Sequence, residues 1–176
     1  NLLYDAVTAV NFAVEVPFEI KGNKFSALYE HHTPWWLTKN NKYCLQFLTY
    51  GGEARWWFAP RTTSGSDSSR QRDALAGHFL GIYGWGGIAD IQAGRNFGCY
   101  QFDFWSTGLT YGYSLGLGKK ANWGLEFVVG AGYLNACQNL AEYRDGVWVA
   151  KEYQEMTGFG LTKAAVNLTY RFPIKK

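Results

Sequence analysis

Ala164-Ala165-Val166-Asn167-Leu168-Thr169-Tyr170-Arg171-Phe172 alternates without a break. Val166, Leu168, Tyr170 and Phe172 form one apolar face, and Ala165, Asn167, Thr169 and Arg171 form a small, polar one. Side chains on a strand point to opposite faces in turn. A half-buried soluble strand turns its large apolar face into a core, and its polar face is bulky and solvated. Here the pattern recurs with aromatics on one face and Gly, Ser, Thr and charge on the other. Leu109, Tyr111, Tyr113, Leu115 and Leu117 alternate with Gly108, Thr110, Gly112, Ser114 and Gly116. Leu125, Phe127, Val129, Ala131 and Tyr133 stand opposite Glu126, Gly130 and Gly132. Phe12, Val14, Val16, Phe18 and Ile20 stand opposite Asn11, Ala13, Glu15 and Glu19. This inverted pattern is that of a transmembrane β-barrel, apolar outside and polar inside.

Working outward from these segments, the sequence predicts an all-β, eight-stranded antiparallel up-and-down transmembrane barrel in one domain, residues 1–176. The strands are expected at Asn1–Val7, Asn11–Ile20, Phe25–Trp35, Tyr43–Phe58, Gly77–Asp90, Cys99–Gly118, Trp123–Cys137 and Ala164–Phe172. Lys21-Gly22-Asn23-Lys24 reads as a tight turn. Gly51-Gly52 is expected to bulge the fourth strand. The Ser-, Arg- and Asp-rich stretch 60–76 reads as a flexible loop, and 139–154 as a polar extracellular loop.

An even strand count places both termini on one side, the periplasm in a bacterial outer membrane. The opening Asn1-Leu2-Leu3-Tyr4 is already strand-like, so the chain reads as a mature or trimmed form. No apolar run approaches the ~18 residues of a membrane helix, and only a closed barrel then satisfies every backbone group in lipid. The net charge of +3 is modest, and Lys and Arg form no nucleic-acid stripe.

An eight-stranded barrel has room inside only for side chains. Asp5, Glu15, Glu53, Arg55, Glu126 and Arg171 are expected to fill it as paired charges, because a buried unpaired charge is costly. Such a plugged barrel would not conduct. The lipid-facing set is Val14, Val16, Leu109, Tyr111, Tyr113, Leu125, Phe127, Val129, Leu168 and Tyr170. Aromatic belts mark membrane interfaces. Trp35, Trp36, Tyr43 and Phe104 are expected at the outer rim, and Phe18, Phe25, Trp56, Trp123, Tyr170 and Phe172 at the inner one.

The chemistry-bearing residues are few. His31 and His32, with Glu30 and Ser26 nearby, could furnish a Ser–His–acid site for lipid hydrolysis. Adjacent strand residues point to opposite faces, however, so only one histidine could join it, and no nucleophile motif supports it. Glu30 with one histidine supplies too few ligands for a metal. No cofactor is expected. Cys44, Cys99 and Cys137 are odd in number, and a Cys99–Cys137 bridge and free thiols are both open readings.

The segments Asn1-Leu2-Leu3-Tyr4-Asp5-Ala6, Glu53-Ala54-Arg55-Trp56-Trp57, Gly77-His78-Phe79-Leu80-Gly81 and Gly160-Leu161-Thr162-Lys163-Ala164 resemble, in this order, a family of small outer-membrane barrels from Bacteroidota that carries only a domain-of-unknown-function label. The resemblance spans nearly the whole chain and departs from it at 60–76, where relatives have a tight turn. It implies an eight-stranded outer-membrane barrel. Some relatives carry a peptidoglycan-binding domain or sit near fimbrial assembly proteins; no such domain is expected here. The expected function is a non-enzymatic structural or accessory subunit of an envelope assembly. Its expected partners are lipopolysaccharide, phospholipid and other envelope proteins. A hydrolase acting on lipid A or phospholipid is the alternative, and a soluble lipocalin-type carrier, with its apolar interior, fits the face pattern poorly.

Overall fold

The computed structural model describes residues 1–2, 10–33, 35–37, 43–60, 75–94, 99–117 and 122–172. Its elements are all strands: β1 (Asn11–Ile20), β2 (Asn23–His32), β3 (Trp35–Leu37), β4 (Tyr43–Pro60), β5 (Gly77–Ala93), β6 (Cys99–Leu117), β7 (Trp123–Arg144) and β8 (Val147–Tyr170). They form one antiparallel up-and-down sheet in the order β1-β2-β4-β5-β6-β7-β8, and β3 pairs with the start of β4. Seven strands thus follow one another in chain order. The expected first strand, Asn1 to Val7, lies largely outside the described residues, as do Asp5 and most of the 60–76 stretch. Among the described residues no ladder joins β8 to β1.

Two turns show why these hairpins form. Lys21 and Gly22 both have positive φ, 48° and 79°, and they connect the pair Ile20 and Asn23. Asp145 and Gly146 repeat the geometry at 49° and 90°, joining Arg144 to Val147. A two-residue loop with φ > 0 at both positions matches the strand twist, and Asp-Gly is among its preferred sequences. The polar stretch 139–154 is therefore no irregular loop. It is the far half of a long β7–β8 hairpin, paired from Asn139↔Tyr153 to the Asp145-Gly146 turn. Its polar and apolar residues, Leu140, Tyr143, Val147, Trp148 and Val149 among the latter, follow no period of two, so the alternation by which strands are recognised is absent.

The Gly51-Gly52 bulge is also corrected. The β4–β5 register runs unbroken through Gly51↔Trp85 and Gly52↔Gly84, and shifts only between Trp57 and Ala59. Gly51 is required by close approach, since a Cβ there would overlap Trp85. A true bulge falls in β8, where Gly130 and Ala131 face Lys163 and Leu161 and leave Thr162 unpaired in the ladder.

The two faces of the sheet differ in kind. Val14, Val16, Leu109, Tyr111, Phe127, Val129, Leu168 and Tyr170 are exposed, with Leu109 at 66%. Tyr113 and Leu125 share that face and are half-buried. Trp56, Trp123 and Phe172 are exposed with them, while the side chains of Trp35 and Trp36 lie outside the described set. Phe104 does not join this face. It has the inward parity of Ser106 and packs edge-on against Trp85 at 5.2 Å, leaving the outward place to Trp105.

The opposite face is buried. It carries Ser26, Glu53, Arg55, Ser106, Thr110, Ser114 and Glu126. One end of it is apolar: Trp57, Phe79, Val128 and Ala165 form a small core, with Leu75 against it. Gly112 makes this possible, because a Cβ there would run into the Phe79 ring.

Candidate functional site

The buried face converges on a network of ions. Arg55, from the centre of β4, is 1% exposed. Its Nε donates to Glu53 Oε1 at 3.0 Å, and its Nη1 to Glu15 Oε1 at 3.2 Å and Glu126 Oε2 at 3.0 Å. Its guanidinium also lies over the Phe79 ring, 4.3 Å from the centroid, a favourable seat for a weakly hydrated planar cation. Lys163 continues the network from β8. Its Nζ donates to Glu53 Oε2 at 2.8 Å and to Glu30 Oε1 at 2.7 Å. Glu53 thus bridges the two cations.

Neutral groups complete the carboxylates. Ser26 Oγ donates to Glu15 Oε1 at 2.5 Å and accepts from Trp57 Nε1 at 2.9 Å. Thr110 Oγ1 donates to Glu53 at 2.7 Å, and Asn167 Nδ2 to Glu126 at 3.0 Å. Gly81 leaves room for this meeting, because a Cβ would collide with Thr110 Oγ1 and Glu53 Oε1. Partners drawn from β1, β2, β4, β6, β7 and β8 can meet only if the sheet curls strongly on itself.

Of the residues predicted for this interior, Glu15, Glu53, Arg55 and Glu126 come together. Arg171 is buried at another level, where its Nη2 donates to Ser114 Oγ and the Leu75 carbonyl, both at 2.9 Å. Lys163 and Glu30 are the members that the sequence reading missed. Lys163 has the parity of Arg171, Thr169, Asn167 and Ala165, so extending the last strand by one residue would have found it. Glu30 has the parity of Ser26 and Leu28.

The Ser–His–acid arrangement does not form. Ser26 is held by Glu15 and Trp57, and Glu30 by Lys163. His32 points inward and bonds Thr49 Oγ1 at 2.9 Å. His32 lies six residues from Ser26 on one extended strand, about 20 Å away at ~3.4 Å per residue. His31 points the other way and packs at a tilt against Phe12, 5.3 Å between centroids. Among the described residues no group of three His, Cys, Asp or Glu is placed to hold a metal.

The cysteines are free. Cys99 stands opposite Ala141 and Cys137 opposite Asp103. The two thiols are thus four ladder positions apart, well beyond the ~7 Å limit between bridged Cα atoms.

Beside the ion network a cavity of about 100 Å³ is lined by Glu30, His32, Trp85, Thr162 and Lys163. It is small enough to hold only a few waters or a single ion. Thr162, the bulged residue, also reaches inward and bonds the Tyr83 hydroxyl.

The class these features define is an up-and-down β-sheet protein whose buried face is ionic and whose exposed face is apolar. The chain belongs to the family described as protein of unknown function (DUF3575), whose model matches residues 1–172. Nothing matches it among curated proteins or among solved structures.

Proposed function

We propose that this chain is a non-enzymatic integral barrel of the bacterial outer membrane, serving as a structural or accessory subunit of an envelope assembly. The observation that carries the reading is the reversal of faces. Exposed apolar surface on this scale is untenable in water without a partner or a membrane. On β6 it runs from Trp105 to Leu117, twelve residues on, with every outward residue between them apolar except Thr107. That length suits the ~9–11 residues of a tilted membrane strand.

On this reading the ring is the eight-stranded barrel expected from the sequence and closes across the gap between β8 and β1, which run in the same direction and so cannot pair antiparallel with each other. Asn1 supports this: its Oδ1 accepts from the Val166 amide at 3.4 Å, and its carbonyl accepts from Asn11 Nδ2 at 3.2 Å. It stands beside both edges. The Lys21-Gly22 turn and the C-terminal end of β8 lie at one end of the sheet, which is assigned to the periplasm. The long β7–β8 hairpin projects from the other end, outside the cell. Lipopolysaccharide and phospholipid meet the apolar face, and other envelope proteins meet the hairpin and loops. Among the described residues the hydrolase alternative finds no assembled nucleophile and base.

The test is reconstitution. The chain should refold into phospholipid vesicles, migrate on gels in a heat-modifiable form, and give no stable single-channel current in a planar bilayer. A chain that folds as a monomer in detergent-free buffer would overturn membrane residence. Large stable currents would overturn the plugged interior.

A further inference from the structure

The outer face carries a groove of about 460 Å³ near the end of the sheet away from the Lys21-Gly22 turn. The ladder registers define it. One row of outward residues reads Tyr50, Gly86, Trp105, Asn135. The next row toward the hairpin end reads Leu48, Ile88, Asp103, Cys137 and Glu155. Gly86 offers no side chain between Tyr50 and Trp105, and a Cβ there would already sit 3.2 Å from Trp105 Cβ. The trough thus has aromatic walls, an aliphatic side from Leu48 and Ile88, and a carboxylate at its upper lip.

Among the described residues that lip is acidic and has no cationic partner. Asp103 lines the groove. Asp90 pairs with Gln101, so it is the diagonal neighbour of Asp103, ~7–8 Å away. Among the described residues neither carboxylate has a hydrogen bond or ion pair with a cationic side chain. Glu155, on the same row, accepts from the Tyr153 hydroxyl at 3.0 Å. A site of this size is in the ~300–1,000 Å³ range of small-ligand pockets, and its charge discriminates. An anionic head would face Asp103 and, beyond the lip, Asp90, whereas an ammonium would be drawn to both carboxylates.

We infer that this groove seats an amphipath with one hydrocarbon chain and a cationic amine head. The chain lies between Tyr50 and Trp105, and the ammonium lies at Asp90 and Asp103. This inference rests on the membrane reading above, since a membrane is what would deliver such a ligand to this face.

The experiment uses the whole chain in phosphatidylcholine nanodiscs, with two probes of identical chain: stearylamine and stearic acid, each bearing a mid-chain doxyl quencher. The readout is Trp105 emission, taken as the difference between the parent and Trp105→Phe. The amine should quench saturably at a concentration about five-fold lower than the acid, the scale of one partly exposed charge contact. Asp90→Asn with Asp103→Asn should bring the two probes together. Tyr50→Ala should weaken both alike. Equal quenching by both probes in the parent, or an amine preference that survives the double Asn variant, would overturn the inference. A chain that never enters the discs would instead overturn the membrane reading.

Discussion

Lys163 of β8 and Glu30 of β2 are 133 residues apart in sequence, and their Nζ and Oε1 atoms stand 2.7 Å apart. The contact brings opposite ends of the strand order together across the buried face. Lys163 also serves Glu53 at 2.8 Å. Lys163→Met should therefore leave two buried carboxylates short of a cation, at a cost of about 3–5 kcal/mol. Adding Glu30→Gln should recover part of that loss. Urea unfolding from vesicles measures both, and a Lys163→Met variant as stable as the parent would show that the network does not hold the strands together.

Position along the strand should decide what a surface charge does. Leu109 and Phe127 lie within the apolar band, whereas Val149 is exposed, nearly as much as Phe127, on the far part of the β7–β8 hairpin. Leu109→Arg or Phe127→Arg should cost about 2–4 kcal/mol in bilayers. Val149→Arg should stay within about 0.5 kcal/mol of the parent. Equal effects at all three positions would mean that the hairpin and the band share one environment.

Gly112 tests the packing inside. Phe79 is fully buried, and its ring occupies the place where a Cβ at Gly112 would go. Gly112→Ala should destabilise by about 1–3 kcal/mol through overpacking. Phe79→Leu in the same chain should relieve some of it. Thermal melts of the single and double variants settle whether the two positions are coupled.

Cys99 and Cys137 should remain separate thiols under oxidising conditions, because the β6–β7 register holds them four positions apart. Peptide mapping by mass spectrometry after air oxidation checks this. A Cys99–Cys137 linked peptide from folded protein would require a different register.

Glu142, on the long hairpin, accepts from Lys151 and from Arg144, the latter at 2.8 Å. These hydrogen bonds hold its carboxyl below the ordinary glutamate value. A depressed carboxyl stabilises the fold above its unfolded pKa of about 4.3 and ceases to do so as pH falls through the folded one. The hairpin contacts should persist at neutral pH and loosen only in acid. An NMR titration of Glu142 with a midpoint at or above the free-glutamate value would contradict them.

Much of this protein was legible as period-two alternation. That pattern assigned the faces of β1, β4, β6, β7 and β8, because each strand residue is placed by parity alone. It also placed Glu15, Glu53, Arg55 and Glu126 on the buried side. Alternation fails along the far part of the β7–β8 hairpin. Residues 139–154 mix polar residues with apolar ones such as Leu140, Val147, Trp148 and Val149 in no period of two, so their strand character showed only in Asp145-Gly146, a hairpin signal present in the sequence.

Tertiary structure decided the rest. Parity says which face a side chain takes, never which partner it meets across a curled sheet. That Glu53 bridges Arg55 and Lys163, that Phe79 lies under the Arg55 guanidinium, and that Cys99 faces Ala141 follow from strand register and curvature. These are set by many weak contacts acting together between residues far apart in the chain. The sequence by itself determined an all-β chain with an apolar and a polar face. Only the assembled sheet determined which charges neutralise one another, because Coulombic pairing depends on distance in space and no local pattern encodes it.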